Sequence, residues 1–132
     1  VKLTDMSFFK LAGQRMQWLG ARQQVIAQNV ANADTPNYKS RDVTDFADVM
    51  RGAATGGLKV TNSKHIGGAT SVAAGVSIRE DEQTYEQSLD GNTVALEQQT
   101  IKATETAENY RLAAQLYRKG HELLTLAATG VR

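Results

Sequence analysis

Asn29-Val30-Ala31-Asn32-Ala33-Asp34-Thr35-Pro36-Asn37-Tyr38-Lys39 is the most distinctive stretch of this 132-residue chain, and it reads as the end of a long helix. Asn32 suits the left-handed position after a last helical turn, and Pro36, the only proline, stops helical continuation. Pro36 also fits the second position of a β-turn, with Asn37 third, where a positive φ is needed and Asn tolerates it. Tyr38 restarts apolar contact beyond the turn. The string therefore sets the angle at which the chain leaves the helix.

Upstream, residues 4–32 carry Phe9, Ala12, Met16, Leu19, Ile26, Val30 and Ala33 at alternating spacings of three and four, with Gln23 the one polar break. Phe8, Leu11, Trp18 and Val25 widen this row into an amphipathic stripe. Thr4 or Asp5 is suited to cap the start. At 1.5 Å per residue such a helix is roughly 43 Å long.

Downstream, a second helix is expected over residues 93–129, capped by Asn92 or Thr93 after the turn Asp90-Gly91. Leu96, Ala103, Ala107, Tyr110, Ala114, Tyr117, Leu124 and Ala128 keep the rhythm, with Thr100 and His121 in register; Leu112, Leu116, Leu123 and Leu126 form a second stripe. Gly120 inside the pattern marks a bend or a close helix contact. Either both stripes fill one core, or one packs inside and the other is offered to a second molecule.

Between the helices, seven of the eleven glycines fall from Gly52 to Gly91. A short helix is expected over residues 42–50, capped by Asp42 or Thr44, and a strand or hairpin around Val72, Val76 and Ile78. So little core over so long a segment points to ordering against neighbouring molecules. The fold class is mainly α: two long amphipathic terminal helices and an irregular Gly-rich middle with a short helix and a small β element. The chain divides into residues 1–33, 34–92 and 93–132, together one structural domain.

Composition narrows the function. With no cysteine, disulfides, zinc–thiolate sites and cysteine catalysis are excluded. The net charge of +1 gives no pull toward nucleic acid. By region, residues 1–33 set Lys2, Lys10, Arg15 and Arg22 against Asp5, a net of +3, and residues 34–93 hold nine acidic and six basic residues, a net of −3. Lys2 and Lys10 flank no apolar stretch and Arg15 interrupts the residues after them, so no cleavable leader is expected.

The two histidines, His65 and His121, lie in different regions, and His121 falls on the Tyr117 and Leu124 face as a core or interface residue. Glu80-Asp81-Glu82 reads as a solvated run, with the basic helix of a neighbour as the alternative partner. Gly56-Gly57 and Gly67-Gly68 lack the setting of phosphate loops and read as turns. No nucleophile and base converge. Catalytic residues, metal ligands, cofactors and small-molecule substrates are not expected.

The 29–39 string resembles the signature of flagellar basal-body rod, hook and related axial proteins, an Asn-x-x-Asn-x-x-Thr-Pro-Gly-Tyr-like turn after an amphipathic helix. Asn29, Asn32, Thr35, Pro36 and Tyr38 match; Asn37 stands where Gly is usual. The short length, Ser88-Leu89-Asp90-Gly91-Asn92-Thr93-Val94 and Lys64-His65-Ile66 resemble the proximal rod members in particular. The paralogous FlgC type and a helical adaptor or export chaperone are the alternatives.

The resemblance implies a structural subunit of the proximal rod, a non-enzyme in the periplasmic basal body that joins the MS ring to the distal rod. Its terminal helices would pack as a coiled-coil-like antiparallel pair. Implied partners are other copies of itself, proximal rod proteins of the FlgC and FlgF types, the MS-ring protein and ring–rod adaptor (FliF and FliE types), and the flagellar type III export apparatus. Candidate subunit-interface residues are Phe9, Met16, Trp18, Leu19, Ile26, Tyr110, Leu116, Tyr117, Leu123 and Leu124, with Trp18, Tyr110 and Tyr117 as aromatic anchors.

Overall fold

The computed structural model of the protein describes residues 3–54 and 76–130. Along the chain run α1 (Leu3–Ala31), β1 (Arg41–Val43), α2 (Phe46–Ala54), β2 (Ile78–Glu80) and α3 (Leu96–Thr129). The Lys64-His65-Ile66 string, the glycine pairs at 56–57 and 67–68, and Val72 lie outside the described residues. Among the described residues no helix is long and apolar enough to cross a membrane.

The two long helices pack on each other, and their contacts run in opposite order. Phe9 meets Tyr117 with ring centroids 5.2 Å apart, and near the other end Asn29 bonds Gln99. The buried residues of α3 are Gln99, Thr106 and Ala113. They recur every seven residues, and the same spacing reaches Gly120. A Cβ on Gly120 would lie 2.7 Å from the Phe8 ring and 3.5 Å from that of Phe9. Gly120 is thus the close helix contact that its place in the pattern suggests, because the Phe8–Phe9 pair occupies the space a side chain would need.

The core is small. Trp18, Leu19, Ala21, Val25, Val43 and Ala113 form its buried cluster, with Met16, Phe46, Val49, Val76 and Ile78 half-buried against it. Trp18 reaches out of α1 to hold the middle of the chain: its Nε1 donates to the Thr44 carbonyl at 2.7 Å, and its ring meets Phe46 edge-on at 6.0 Å. Arg15 and Arg22 lie over the same indole at 4.8 and 5.5 Å, in cation–π range.

β1 and β2 pair antiparallel, Arg41 with Glu80, Asp42 with Arg79 and Val43 with Ile78. Backbone bonds from Asp81 to Ser40 and from Thr44 to Ser77, both 2.9 Å, extend the ladder at each end. The short helix begins at Phe46 rather than near Asp42, because Asp42 lies in β1 and the Asp45 carbonyl takes the first bonds, from Asp48 and Val49. α3 likewise starts at Leu96, with Ala95 as a cap that makes no side-chain bond. Asn92 and Thr93, expected as its cap, are bonded elsewhere.

Leu19 is 1% exposed in a core with few other large side chains. Leu19→Ala should lower the free energy of unfolding by about 2–5 kcal/mol, read from equilibrium denaturant curves. A loss under the lower bound would mean that the helices close over the gap.

Candidate assembly site

α1 ends in tightened geometry. The Asn32 N–H donates to the carbonyls of both Gln28 and Asn29 at 3.1 Å, and the Asn32 Nδ2 donates to the Gln28 carbonyl at 2.8 Å. That side-chain bond takes the place of the left-handed conformation expected at Asn32. Among the described residues the only non-glycine with positive φ is Asn37, at 59°. Asn37 follows Pro36 in the turn closed by the Tyr38 N–H on the Thr35 carbonyl at 3.3 Å, as the turn chemistry requires.

Asn29, in the last turn of α1, is fully buried. Its Nδ2 donates to the Arg41 carbonyl at 2.7 Å and to Gln99 Oε1 at 3.0 Å. Its Oδ1 accepts from the Arg41 N–H at 3.0 Å and the Tyr38 hydroxyl at 3.3 Å. One amide thereby joins α1, the exit turn, β1 and α3, with both donors and both acceptor directions used.

The stretch before α3 folds onto the same turn. Asn92 Nδ2 donates to the Asn32 and Thr35 carbonyls at 2.9 and 2.7 Å, and its Oδ1 accepts from the Val94 N–H at 2.8 Å. Thr93 donates its N–H to the Tyr38 carbonyl and accepts from the Ser40 N–H through Oγ1. Asn37 donates its N–H to the Asp90 carbonyl, and Lys39 Nζ reaches the Gly91 carbonyl at 3.0 Å. Gly91, at φ 83°, comes so close that a Cβ would sit 2.5 Å from Asn37 Oδ1. Its conformation favours glycine, and any side chain there would also have to displace the Asn37 amide. The 29–39 and 88–94 strings are thus two halves of one polar clasp.

Beside the clasp lies an ion network. Arg22 donates to both Asp42 oxygens from Nε and Nη2, at 3.2 and 3.3 Å. Lys102 on α3 bridges Asp42 at 3.1 Å and also bonds Asp81. Asp81 is therefore paired within its own chain, unlike the exposed Glu80 and Glu82 of the same run. Burial by itself raises the Asp42 carboxyl, but Arg22, Lys102 and the Val43 N–H together hold it below its ordinary value. Burial works against the charged Lys102 too, and the bonds to Asp81 and Asp42 outweigh it and raise its pKa.

The candidate interface residues divide by burial. Trp18, Leu19 and Ile26 are buried within the chain; Phe9, Met16, Tyr117 and Leu124 are half-buried; Tyr110, Leu116 and Leu123 are exposed. His121 is exposed beside the Phe9 and Tyr117 rings. The second stripe of α3 stays outside: Leu112, Leu116, Leu123 and Leu126 are each more than half exposed, so the two stripes do not share one core. Sequence reasoning misses Gln99 and the Arg22, Asp42, Lys102 and Asp81 set. For Gln99 the available signal is its seven-residue spacing to Thr106 and Ala113; for the ion network no local pattern exists.

A family model described as "Flagella basal body rod protein" matches residues 10–39, most of α1 and the exit turn. The flagellar basal body rod protein FlgB of Agrobacterium fabrum is 32% identical over 127 residues, covering 94% of this chain and 94% of that protein. Its counterpart in Cereibacter sphaeroides is 31% identical over 109 residues, 83% of this chain and 84% of that protein. That of Salmonella typhimurium is 38% identical over 101 residues, 69% of this chain and 70% of that protein.

Asn29→Ala should cost about 2–3 kcal/mol of stability, because it strands the Arg41 N–H and the Gln99 side-chain Oε1 in a buried site; thermal melts against wild type measure it. The ion network predicts a pH signature. A carboxyl whose folded pKa is depressed contributes fully above its unfolded value, about 3.9, and the contribution disappears as pH falls through the folded value. The stability gap between wild type and Asp42→Asn should therefore be widest near neutrality and shrink below about pH 4. For Lys102 the sign is reversed, with its contribution complete below about pH 10 and lost above its raised pKa. A gap that does not change with pH would show that Asp42 acts through packing alone.

Proposed function

This chain belongs to the FlgB family of flagellar basal body rod proteins, and we propose that it is a proximal subunit of the rod, joining the MS ring to the distal rod. As a family member it is a structural component of the basal body, and its curated relatives, named FlgB, do not favour the FlgC alternative. Polymerisation proceeds through the terminal helices, packed as an antiparallel coiled-coil-like pair. Partners in this reading are further copies of the chain, proximal rod proteins of the FlgC and FlgF types, and the FliF and FliE types at the ring. Export through the flagellar type III apparatus delivers the subunit to the periplasmic rod.

One observation carries this reading. The two strings that resemble rod proteins bond to each other, so α1 and α3 form a single unit whose leucine row stays outside. An enzyme or carrier of this size would turn its apolar residues inward around a cavity. Here the large apolar side chains are left for another surface, as an assembling subunit needs.

Electron microscopy of basal bodies from a strain lacking the gene, with a complemented control, tests the assignment. Rings without a rod and without a filament are expected. Normal rods in motile cells would overturn it.

A further inference from the structure

α3 carries two complementary surfaces on opposite sides. The first is a ridge of Ile101, Leu112, Leu116, Leu123 and Leu126, each more than half exposed. The second is an open groove of about 790 Å³ between α1 and α3, with Leu19, Gly20, Ala27, Ala107, Tyr110 and Ala114 among its lining. At 3.6 residues per turn, Ala107, Tyr110 and Ala114 lie about 140–200° around the helix from the mean direction of Leu112, Leu116 and Leu123. The same helix thus presents a row of large apolar side chains on one side and, on the other, the alanines Ala107 and Ala114 on either side of Tyr110.

We propose that the leucine ridge of one copy seats in the α1 and α3 groove of the next copy, a heterologous contact that repeats from subunit to subunit. This rests on the rod reading above and names the surfaces it uses. Size complementarity is the first argument: a Cβ at Gly20 would meet nothing within 4 Å, so the groove has room for a ridge to enter. Charge is the second. The groove contains Arg111 and no acidic residue, while Glu105 and Glu108 flank the N-terminal half of the ridge and Lys119 its C-terminal half, so it is the acidic half that suits the groove. A parallel, in-register contact of ridge on ridge would instead set Glu105 against Glu105 and Lys119 against Lys119. Symmetry is the third. Complementary surfaces on opposite faces of one helix generate an open or ring-like series, whereas one self-complementary face closes a dimer.

The chain has no cysteine, so the contact can be mapped directly. Leu116→Cys and Ala107→Cys are made separately, both at outward-facing positions, and co-expressed in cells lacking the wild-type gene. Basal bodies are then isolated and oxidised. A disulfide-linked dimer that appears with the mixture and with neither variant alone is the expected result. Dimers from Leu116→Cys alone would mean ridge on ridge and would overturn the proposal. Rods that contain both variants yet give no dimer would overturn it while leaving the rod assignment intact. Motile cells whose basal bodies lack the chain altogether would overturn the rod reading itself. A second variant, Ala107→Trp, fills the groove: rods should be lost while the melting temperature of the purified chain stays unchanged. Normal rods from that variant would count against the groove.

Discussion

Asn29 has its amide fully buried, and its four bonds end on four different atoms, of Tyr38, Arg41 and Gln99. A buried amide is tolerable only when both its donors and its acceptor are occupied, so it permits a single arrangement of α1, the exit turn, β1 and α3. The remainder of the molecule is arranged around that requirement. The turn must bring Tyr38 and Arg41 back to α1, which calls for Pro36 and the left-handed Asn37. The approach to α3 must bring Gln99 alongside, which Asn92 and Thr93 secure by bonding to the turn. In a protein with so small an apolar core, polar groups define the register and apolar packing supplies only part of the adhesion.

The division of labour on α3 follows from side-chain size. Its contact with α1 runs along Gln99, Thr106, Ala113 and Gly120, all small or polar, and this lets the two helices approach closely. The leucines Leu112, Leu116, Leu123 and Leu126 stand to the side and stay more than half exposed. Such a chain withholds much of its hydrophobic driving force from its own folding. That free energy becomes available when a second surface covers the row, so association and final stability are coupled.

Much of this is legible in the residues, and the misreadings have physical causes. Both long helices follow the three–four rhythm, and the break after residue 32 follows from Pro36. Turn chemistry suggests a left-handed residue at both Asn32 and Asn37, and only the second is left-handed, because the Asn32 side chain finds a carbonyl one turn back. Asn92 and Thr93 have the chemistry of helix caps, but an asparagine side chain bonds whatever carbonyl lies near, and the carbonyls of Asn32 and Thr35 are nearer. Asp81 reads as solvated because its partner, Lys102, lies 21 positions away on another element. Apolar periodicity also points to the large residues of α3 as its inner face, whereas close helix contact selects the small ones.

The neck formed by β1 and β2 has a consequence for how the chain can vary. Thr44 and Ser77 lie side by side, joined by a 2.9 Å backbone bond, so the segment between them leaves and re-enters at one point. With the ends already held together, the closure entropy of such an excursion grows only with the logarithm of its length, about 0.6 kcal/mol per doubling. Phe46, Val49 and Val76 pack against the core just inside this neck, so it is between residues 55 and 75 that the sequence can change in length at only this small cost.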